Sequence, residues 1–404
     1  MKRLSLILFV LLLAVLALAS CSSEKTITLN VYNWGEYISD GSEGTLDVNK
    51  AFEEYYYEAH GVNLKVNYTT YASNEDMYAK ILSGATSYDI VIPSEYMIER
   101  MINEGLLEKL DFNNIPNYQY IAEEFKTKYN YYDPNNEYTV PYTYGLVGIM
   151  YNAERVTSEN IGSWDLLWDT DYAGKILQFN NSRDAFGTSL YRLGMSVNST
   201  SREDWETALE ELKLQKPLIQ SYVMDEIFNK MKTNSALIAP YYAGDFLSIY
   251  EENDELAFFF PKEGTNIFID AMCVPKGSPN KAIAEEYINF MLSEEVAVAN
   301  AEYTYYASPN TLVQNNEGYQ ETMHEIHEDA MDILYGSTNT MKTEFYENMD
   351  TETLLMVNEL WEELKIESSV GDTVYTICYV IIAVIVAGFV YGYIKKKKRE
   401  ALYD

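Results

Sequence analysis

Apolar and polar residues follow two rhythms along this chain, one with the period of a strand and one with the period of a helix. The short apolar runs that predict strands are 26–32, 62–66, 88–92, 145–151, 175–179, 236–240, 256–260 and 267–274. Helical spacing predicts helices over 47–59, 75–82, 97–105, 185–194, 205–214, 246–251, 282–292 and 294–301, with acidic helices filling 321–366. This alternation predicts an α/β fold with a mainly parallel sheet. Ligands of such sheets bind beyond the carboxyl ends of the strands.

The start of the chain breaks this pattern. Lys2 and Arg3 precede a long apolar run that ends in Leu18-Ala19-Ser20-Cys21. A basic start, an apolar stretch and small residues before a cysteine are typical of a bacterial lipoprotein signal peptide. We therefore expect 1–21 to be a lipoprotein signal peptide, with Cys21 as the lipidated residue. The alternative is an ordinary signal peptide, or an uncleaved anchor that happens to contain a cysteine.

A second uncharged stretch lies near the other end, at 373–394. As a helix it would be about 33 Å long, which is enough to cross the hydrocarbon core of a membrane. The basic tail 395–404 follows at once, and the positive-inside rule places such a tail in the cytoplasm. We expect a transmembrane helix, with the preceding residues outside the cytoplasm. A buried globular helix is the alternative.

Composition narrows the functional classes. The chain has 404 residues, 14% aromatic residues and a formal net charge of −33. The aromatic content excludes a disordered acidic chain, and the charge argues against nucleic-acid binding, because phosphates need a basic surface. Three histidines and three cysteines leave little material for a zinc site or a Cys/His catalytic pair, so we expect no metal and no cofactor. The acidity favours cationic partners or serves only solubility.

Aromatic residues stand beside carboxylates at the ends of predicted strands and in the turns that follow them. The five clusters are 32–37, 93–96, 180–186, 241–245 and 268–270. Aromatic faces attract ammonium groups by about 0.5–2 kcal/mol each, and a carboxylate that hydrogen-bonds a charged donor adds about 1.5–3 kcal/mol. Such a set would suit an elongated cation with methylene spacers. One such cluster is more often a half-buried ring beside a solvated acid, but five of them favour a ligand site.

The segments that contain these clusters resemble the spermidine/putrescine-binding proteins of bacterial polyamine ABC transporters. The resemblance covers about residues 27–345 and keeps the order of the segments. It rests on YNWGEY (32–37), YDIVIPSEYMIERMINEGLLEKLD (88–111), VPYTYGLVGIMYN (140–152), SWDLLWDTDYAGKI (163–176), NNSRDAFGTSLYRLG (180–194), PYYAGDF (240–246), FFPKEGTNIFIDAMCVP (259–275) and AIAEEYINFMLSEEVAVANAEYTYYASPN (282–310). Matches of this length are far more specific than any short motif.

The resemblance implies a two-lobe periplasmic-binding-protein fold, type II-like, with a hinge and with the ligand in the cleft between the lobes. We expect the chain to cross between the lobes near Pro141 and Pro261. The first lobe is expected at 27–141 with a return segment at about 264–306. The second is expected at 142–263 with C-terminal helices at about 307–366.

The resemblance also implies the residues of the ligand site. They are Trp34, Glu36, Tyr37, Ser94, Tyr96, Asn181, Asp184, Tyr242, Phe268 and Asp270. Trp34 and Tyr37 match the aromatic residues that stack on the methylene groups of the ligand, and Asp270 matches an acid that pairs with an amine. Asn181 stands where the family commonly has an acid, and Phe268 stands at a tryptophan position. These two differences leave the choice among polyamines open.

The implied function is capture of a polyamine outside the cytoplasm and its delivery to the permease subunits of an ABC importer and their ATPase, without catalysis. One alternative keeps the fold but binds another cation or a small organic solute, since Arg183 could meet a carboxylate. The competing enzyme is a membrane-anchored glycosidase with two carboxylates, although no signature singles out such a pair.

Overall fold

The computed structural model describes residues 26–336, 341–366 and 381–382 of the chain. The predicted signal peptide with Cys21 and the predicted basic tail lie outside these residues. The predicted transmembrane helix also lies outside them, except for 381–382. Within the described ranges, no helix combines the length and the apolar character that are needed to cross a bilayer.

Strands occur at every position where the apolar runs predict them. The strands are β1 Ile27–Trp34, β2 Leu64–Tyr71, β3 Ile90–Val91, β4 Thr139–Asn152, β5 Ile176–Phe179, β6 Ile219–Val223, β7 Ile238–Tyr242, β8 Leu256–Phe259, β9 Thr265–Cys273 and β10 Thr343–Glu344. They form one sheet in the order β2-β1-β3-β9-β4-β7-β5-β6, with β8 paired to β4 and β10 paired to β9. The short strand β6, at one end of this order, was not predicted, because its residues are mostly half-buried and show no apolar alternation.

Helices accompany the strands, again at each predicted position. They are α1 Val48–His60, α2 Asn74–Ser83, α3 Glu95–Asn103, α4 Glu123–Thr127, α5 Ser182–Leu193, α6 Arg202–Gln215, α7 Glu226–Lys232, α8 Ala243–Tyr250, α9 Lys281–Met291, α10 Glu294–Thr304, α11 Thr311–Gln314, α12 Glu317–Ile326 and α13 Thr351–Ile366. The acidic region 321–366 is helical only in part, because β10 lies between α12 and α13.

Local chemistry sets the ends of the helices that flank the first strands. The side chain of Ser73 accepts a hydrogen bond from the amide of Asp76 at the start of α2, and Gly84 ends this helix with a φ of 60°. Asp47 caps α1 in the same way, through the amide of Lys50. Such caps satisfy amides that have no partner within the helix, and glycine adopts the left-handed conformation without strain.

The prediction of a mainly parallel sheet is wrong for the middle of the sheet. β1 is parallel to β2 and β3, and β5 is parallel to β6 and β7. Between these two parallel groups, β9 runs antiparallel to β3 and β4, and β4 runs antiparallel to β7. β4 and β9 are buried almost throughout. A strand that is apolar on both faces has the same sequence pattern in either direction, so periodicity could not reveal this reversal.

The long strand β4 joins the two halves of the sheet. Its first part, from Thr139 to Leu146, pairs with β9, and its second part pairs with β7 and β8. The register shifts between Pro141 and Thr143, where the chain was expected to cross. Proline has no amide to donate to a neighbouring strand, and a bulge accommodates this loss. The bulge places Thr143 opposite Asp270 on β9.

The described chain forms two compact units. The first lies within Met1–Asn181 and Leu218–Asn348 and contains the whole sheet. The second lies within Ser182–Pro217 and Met349–Asp404 and contains α5, α6 and α13. In the second unit the rings of Phe186 and Trp205 pack edge to face, 5.4 Å apart. The predicted lobe boundaries stay predictions.

Candidate functional site

Asp270, near the middle of β9, is the centre of a buried polar cluster. Its Oδ1 accepts a hydrogen bond from the Ser94 hydroxyl at 2.6 Å, and its Oδ2 accepts one from the Tyr37 hydroxyl at 2.6 Å. Within the described residues, no lysine or arginine pairs with this carboxylate. Burial raises the pKa of Asp270 to about 6, although the two hydrogen bonds favour the charged form. The side chain is therefore a carboxylate that lacks a cationic partner.

Ser94 reaches Asp270 because of its place at the start of α3. It occupies the N-cap position, yet its hydroxyl makes no capping hydrogen bond. The hydroxyl donates to Asp270 and accepts from the amide of the Asn74 side chain at 3.1 Å. The same Asn74 amide donates to the hydroxyl of Tyr96 at 3.1 Å. Asn74 thus links Tyr96 to Ser94 and, through Ser94, to Asp270.

Tyr37 reaches Asp270 from the turn that follows β1. In this turn Glu36 has a φ of 50°, a left-handed conformation that is uncommon outside glycine. The hydroxyl of Tyr37 also lies 2.5 Å from the hydroxyl of Thr143, and the hydroxyl of Tyr142 donates to the backbone carbonyl of Tyr37 at 2.8 Å. The bulge of β4 therefore supports the turn and holds Tyr37 against Asp270.

Aromatic rings form a connected group around this cluster, which we call the aromatic box: Tyr37, Tyr242, Phe268 and Tyr306. Phe268 lies two residues before Asp270, and its ring packs edge to face on Tyr242 with 5.3 Å between the ring centroids. The ring of Tyr306 lies 5.0 Å from that of Tyr37 and 6.0 Å from that of Phe268. Gly145 on β4 leaves room for Phe268, because a Cβ at this position would lie 2.8 Å from the ring.

Trp34 lies at the end of β1. Its indole nitrogen donates to the backbone carbonyl of Ile92 at 3.0 Å, and its ring lies 4.6 Å from that of Tyr71. The hydroxyl of Tyr71 donates to the same carbonyl at 2.7 Å. These contacts fix the indole while leaving it half-buried, so part of its surface can contact a ligand.

A second buried carboxylate, that of Asp245, contacts Tyr306. Asp245, in the first turn of α8, accepts a hydrogen bond from the hydroxyl of Tyr306 at 2.8 Å. Burial, together with the negative charges of Asp225 and Glu36, raises the pKa of Asp245 to about 8, although the hydrogen bond from Tyr306 opposes the shift. Glu36, Asp225 and Asp245 line a cleft of about 680 Å³. Ligand sites commonly have volumes of about 300–1,000 Å³.

Asn181 and Asp184 are the remaining two predicted polar residues, and each is described within its own unit. The side-chain amide of Asn181 lies 3.6 Å from the sulfur of Met224, at the last position of the first unit. Asp184 belongs to the second unit, where it is nine-tenths buried in the first turn of α5. Their roles in ligand binding stay predictions.

The structure thus connects most of the predicted residues, and it adds others that sequence reasoning did not select. Tyr37, Ser94, Tyr242, Phe268 and Asp270 form one network of hydrogen bonds and ring contacts, and Tyr96 joins it through Asn74. The neighbouring residues that sequence reasoning did not select are Asn74, Thr143, Asp225, Asp245 and Tyr306. Asp245 stood in one of the aromatic–acidic clusters, which was the available signal. The described residues contain no group of three or more His, Cys, Asp or Glu side chains that could hold a metal ion.

The chain is similar to known solute-binding proteins. The sequence profile described as bacterial extracellular solute-binding protein matches residues 85–333. The spermidine/putrescine-binding periplasmic protein of Salmonella typhimurium is 32% identical over 296 residues, which are 73% of this chain and 81% of that protein.

Two solved structures are also similar. The spermidine/putrescine ABC transporter substrate-binding protein PotD of Streptococcus pneumoniae matches with a TM-score of 0.67 and 34% identity over 84% of this chain and 99% of its own. The TpPotD lipoprotein of Treponema pallidum matches with a TM-score of 0.69 and 25% identity over 83% of this chain and 99% of its own. These similarities confirm the predicted two-lobe periplasmic-binding-protein fold.

Proposed function

We propose that this chain, which belongs to the bacterial extracellular solute-binding protein family, captures a polyamine outside the cytoplasm and delivers it to an ABC importer. The family consists of solute-binding proteins and not of enzymes. The similar proteins of Salmonella typhimurium and Streptococcus pneumoniae are named for spermidine and putrescine. Both molecules are chains of methylene groups between ammonium groups, and this chemistry suits the site.

The observation that carries the proposal is the environment of Asp270. A buried carboxylate without a cationic partner is unfavourable, and its raised pKa expresses this cost. An ammonium group of the ligand would supply the missing charge. It would also restore the ionised carboxylate that the hydroxyl groups of Tyr37 and Ser94 are placed to stabilise.

The aromatic box suits the rest of a polyamine. Methylene groups can pack against the faces of Trp34, Tyr37 and Phe268, and ring faces also attract the ammonium groups. Asp245 then offers a second carboxylate at the other side of Tyr306. We include Tyr306 and Asp245 among the ligand-binding residues, beside the ten residues that the sequence predicts.

The mechanism requires no bond to form or break. We propose that the lobes, 27–141 with 264–306 and 142–263 with 307–366, close on the ligand by bending near Pro141 and Pro261. The closed form would then dock on the permease subunits, which the ATPase drives. Tyr37 and Ser94 precede β4 along the chain and Tyr242 follows it, so bending near the bulge would change the distances between them.

The membrane attachment is also a proposal. A lipid on Cys21 would hold the start of the chain, and a transmembrane helix at 373–394 would hold its end, with the tail 395–404 in the cytoplasm. The similar Treponema pallidum protein is named a lipoprotein, which supports the first of these anchors. Both anchors would keep the binding domain beside its permease.

Titration calorimetry of the full-length chain in lipid nanodiscs with spermidine and putrescine tests the proposal. We expect at least one of the two to bind. If a folded protein binds neither of them, the proposed function is wrong. A thermal-shift panel of other cations and small organic solutes then identifies the ligand class, since a ligand that binds only the folded state raises the Tm.

Substitution of the central carboxylate tests the assignment of the site. We expect Asp270→Ala to weaken polyamine binding at least about tenfold, because the ammonium group loses a buried charged partner. Calorimetry measures this change. Asp171→Ala is the matched control, since Asp171 is exposed and does not line the cleft. An affinity that Asp270→Ala leaves unchanged would remove Asp270 from the site.

A further inference from the structure

The side-chain amide of Asn74 lies beside the hydroxyl that reaches Asp270. Asn74 is the first residue of α2 and is 4% exposed. Its Nδ2 donates to the Oγ of Ser94 and to the hydroxyl of Tyr96, both at 3.1 Å. Its Oδ1 accepts from the backbone amide of Ser94 at 3.2 Å. The start of α2 does not need this side chain, because Ser73 caps the helix.

These three hydrogen bonds fix which way round the Asn74 side chain lies. An amide nitrogen can only donate, whereas a hydroxyl oxygen donates once and also accepts. If the amide were reversed, its nitrogen would face the backbone N–H of Ser94, and two donors would oppose each other. The nitrogen therefore faces the two hydroxyl groups, and each of them accepts a hydrogen bond from it.

A hydroxyl that accepts from Asn74 has its own proton available for another partner. The Ser94 hydroxyl donates to Oδ1 of Asp270 at 2.6 Å, and the Tyr96 hydroxyl donates to Oε1 of Glu75 at 3.0 Å. A proton that points at Asp270 stabilises the ionised form of its carboxyl. The ionised form is the one that attracts an ammonium group.

We propose that Asn74 is a positioning residue of the ligand site, whose amide turns the Ser94 hydroxyl toward Asp270 and so keeps this carboxyl ionised for the ammonium group of a polyamine. This inference rests on the proposed function. Ser94 stands at the N-cap position of α3, where a serine hydroxyl ordinarily accepts from a helix amide, but here it makes no such bond. The hydrogen bond from Asn74 holds the hydroxyl in the site instead of at the helix end.

Other titratable groups also surround Asp270. Its charge acts on three phenols from neighbouring elements, those of Tyr37 after β1, Tyr71 on β2 and Tyr142 on β4. Burial raises the pKa of each phenol well above its ordinary value, so all three stay neutral at the pH values of the test below. On α3, the carboxyl of Glu95 accepts at 2.9 Å from the backbone amide that precedes Asp270 on β9. These groups are the same in the native chain and in a variant of Asn74.

The pH profile of binding tests this role. Calorimetry of the full-length chain in phosphatidylcholine nanodiscs measures the affinity for spermidine and putrescine between about pH 5 and about pH 8.5. The affinity of the native chain should fall as the pH drops through the pKa of Asp270, about 6, because a neutral carboxyl attracts an ammonium group weakly. Asn74→Leu should raise this midpoint by about one pH unit, since the ionised carboxyl loses a directed hydrogen bond. Its affinity should then be about fivefold below the native value near pH 6 and less than about twofold below it near pH 8.5.

Further variants connect the effect to the Ser94 hydroxyl. Ser94→Ala should raise the midpoint in the same way, and Asn74→Leu added to it should raise the midpoint no further, because Asn74 acts through Ser94. Asn67→Leu is the matched control, since its exposed amide donates to Asn30 at 2.8 Å, and it should keep the native profile. If Asn74→Leu does not fold, Asn74→Asp replaces it and should also raise the midpoint. An aspartate still accepts from the Ser94 amide but has no N–H for the hydroxyl.

The possible results separate this inference from the proposed function. If the variant of Asn74 keeps the native midpoint, or lowers the affinity by the same factor at every pH, the role of Asn74 is only structural. The inference is then overturned while the function stands. A further rise of the midpoint in the Ser94→Ala background would also overturn it, because Asn74 would then act by another route. If the native chain binds neither spermidine nor putrescine, the proposed function fails, and the inference fails with it.

Discussion

At the scale of single residues, the site is built from acids whose charge the empty protein disfavours. Burial raises the pKa of Asp270 to about 6 and that of Asp245 to about 8. The hydrogen bonds from Ser94, Tyr37 and Tyr306 only reduce these shifts. A cationic ligand offsets the cost of burying these charged carboxylates. Binding therefore stabilises the folded protein. Such a conflict between stability and function is common at binding sites.

The first prediction concerns Asp245 and pH. A carboxyl whose pKa is raised in the folded state binds a proton more tightly there than in the unfolded chain. The stability that this carboxyl contributes is therefore fully present below the ordinary pKa of an aspartate. It is lost as the pH rises toward 8. Asparagine carries no charge and avoids this loss. We therefore expect empty Asp245→Asn to be more stable than the native chain at high pH, by more than about 1 kcal/mol.

Unfolding of the full-length chain measures this effect by Trp fluorescence at pH values from 5 to 8.5. The gain in stability should grow with pH across this range. The groups that act on Asp245 are the hydroxyl of Tyr306 and the carboxylates of Asp225 and Glu36. Asp171→Asn should show no such trend. A pH-independent difference between Asp245→Asn and the native chain would contradict the assigned pKa.

At the scale of elements, the strand β4 controls both the fold and the site. Its first part pairs with the strand that carries Asp270, and its second part pairs with β7 and β8. Two glycines, Gly145 and Gly148, allow aromatic side chains to pack directly on its backbone. The three atoms nearest to a Cβ at Gly145 would all belong to the ring of Phe268, the first of them at 2.8 Å. A Cβ at Gly148 would meet the ring of Phe258 at 2.2 Å and the carbonyl of Phe259 at 2.7 Å.

The second prediction separates the roles of these two glycines. Gly145→Ala should displace the ring of Phe268 within the aromatic box and lower the affinity for the polyamine about tenfold, with a small effect on unfolding. Gly148→Ala should lower the free energy of unfolding by about 1–3 kcal/mol, because the pairing of β4 with β8 must move, and should leave the affinity of the folded protein unchanged. Calorimetry and urea unfolding measure the two effects. The same outcome for both variants would contradict this division of roles.

At the scale of the whole molecule, the net charge of −33 affects how fast a cation arrives rather than which cation is bound. Many of the ion pairs lie at the surface. Arg202, for example, pairs there with Glu206 and Glu359. Such pairs contribute little to stability. The excess of acidic over basic residues still produces a net negative field, which attracts cations toward the acidic cleft.

The third prediction follows from this field. The association rate of spermidine should fall several-fold when the NaCl concentration rises from about 20 to about 200 mM, because salt screens the attraction over the longer distances. The dissociation rate should change much less, since it depends on close contacts. Stopped-flow fluorescence of Trp34 and the other tryptophans measures both rates. An association rate that does not respond to salt would contradict electrostatic steering.

Periodicity and resemblance predicted a large part of this structure. The apolar runs located the strands around β1, β4 and β9, and helical spacing located α1 and α2, because burial of one face leaves a local pattern in the sequence. The long family segments identified Tyr37, Ser94 and Asp270, which the structure brings into one cluster. Their roles as ligand-binding residues stay a prediction for the experiments above.

Only the tertiary structure decided the direction of the central strands and the neighbours of each site residue. Tyr37 and Asp270 are 233 positions apart along the chain, and Ser94 and Asp270 are 176 apart. Contacts over such distances depend on strand order and register, which local patterns do not encode. The hydrogen bond between Tyr306 and Asp245, which are 61 positions apart, was invisible to the sequence for this reason. The amino-acid sequence by itself therefore determined the elements and the kinds of side chain that a cation needs. The folded chain determined which of these side chains meet, because the antiparallel strands β4 and β9 bring distant segments to one place.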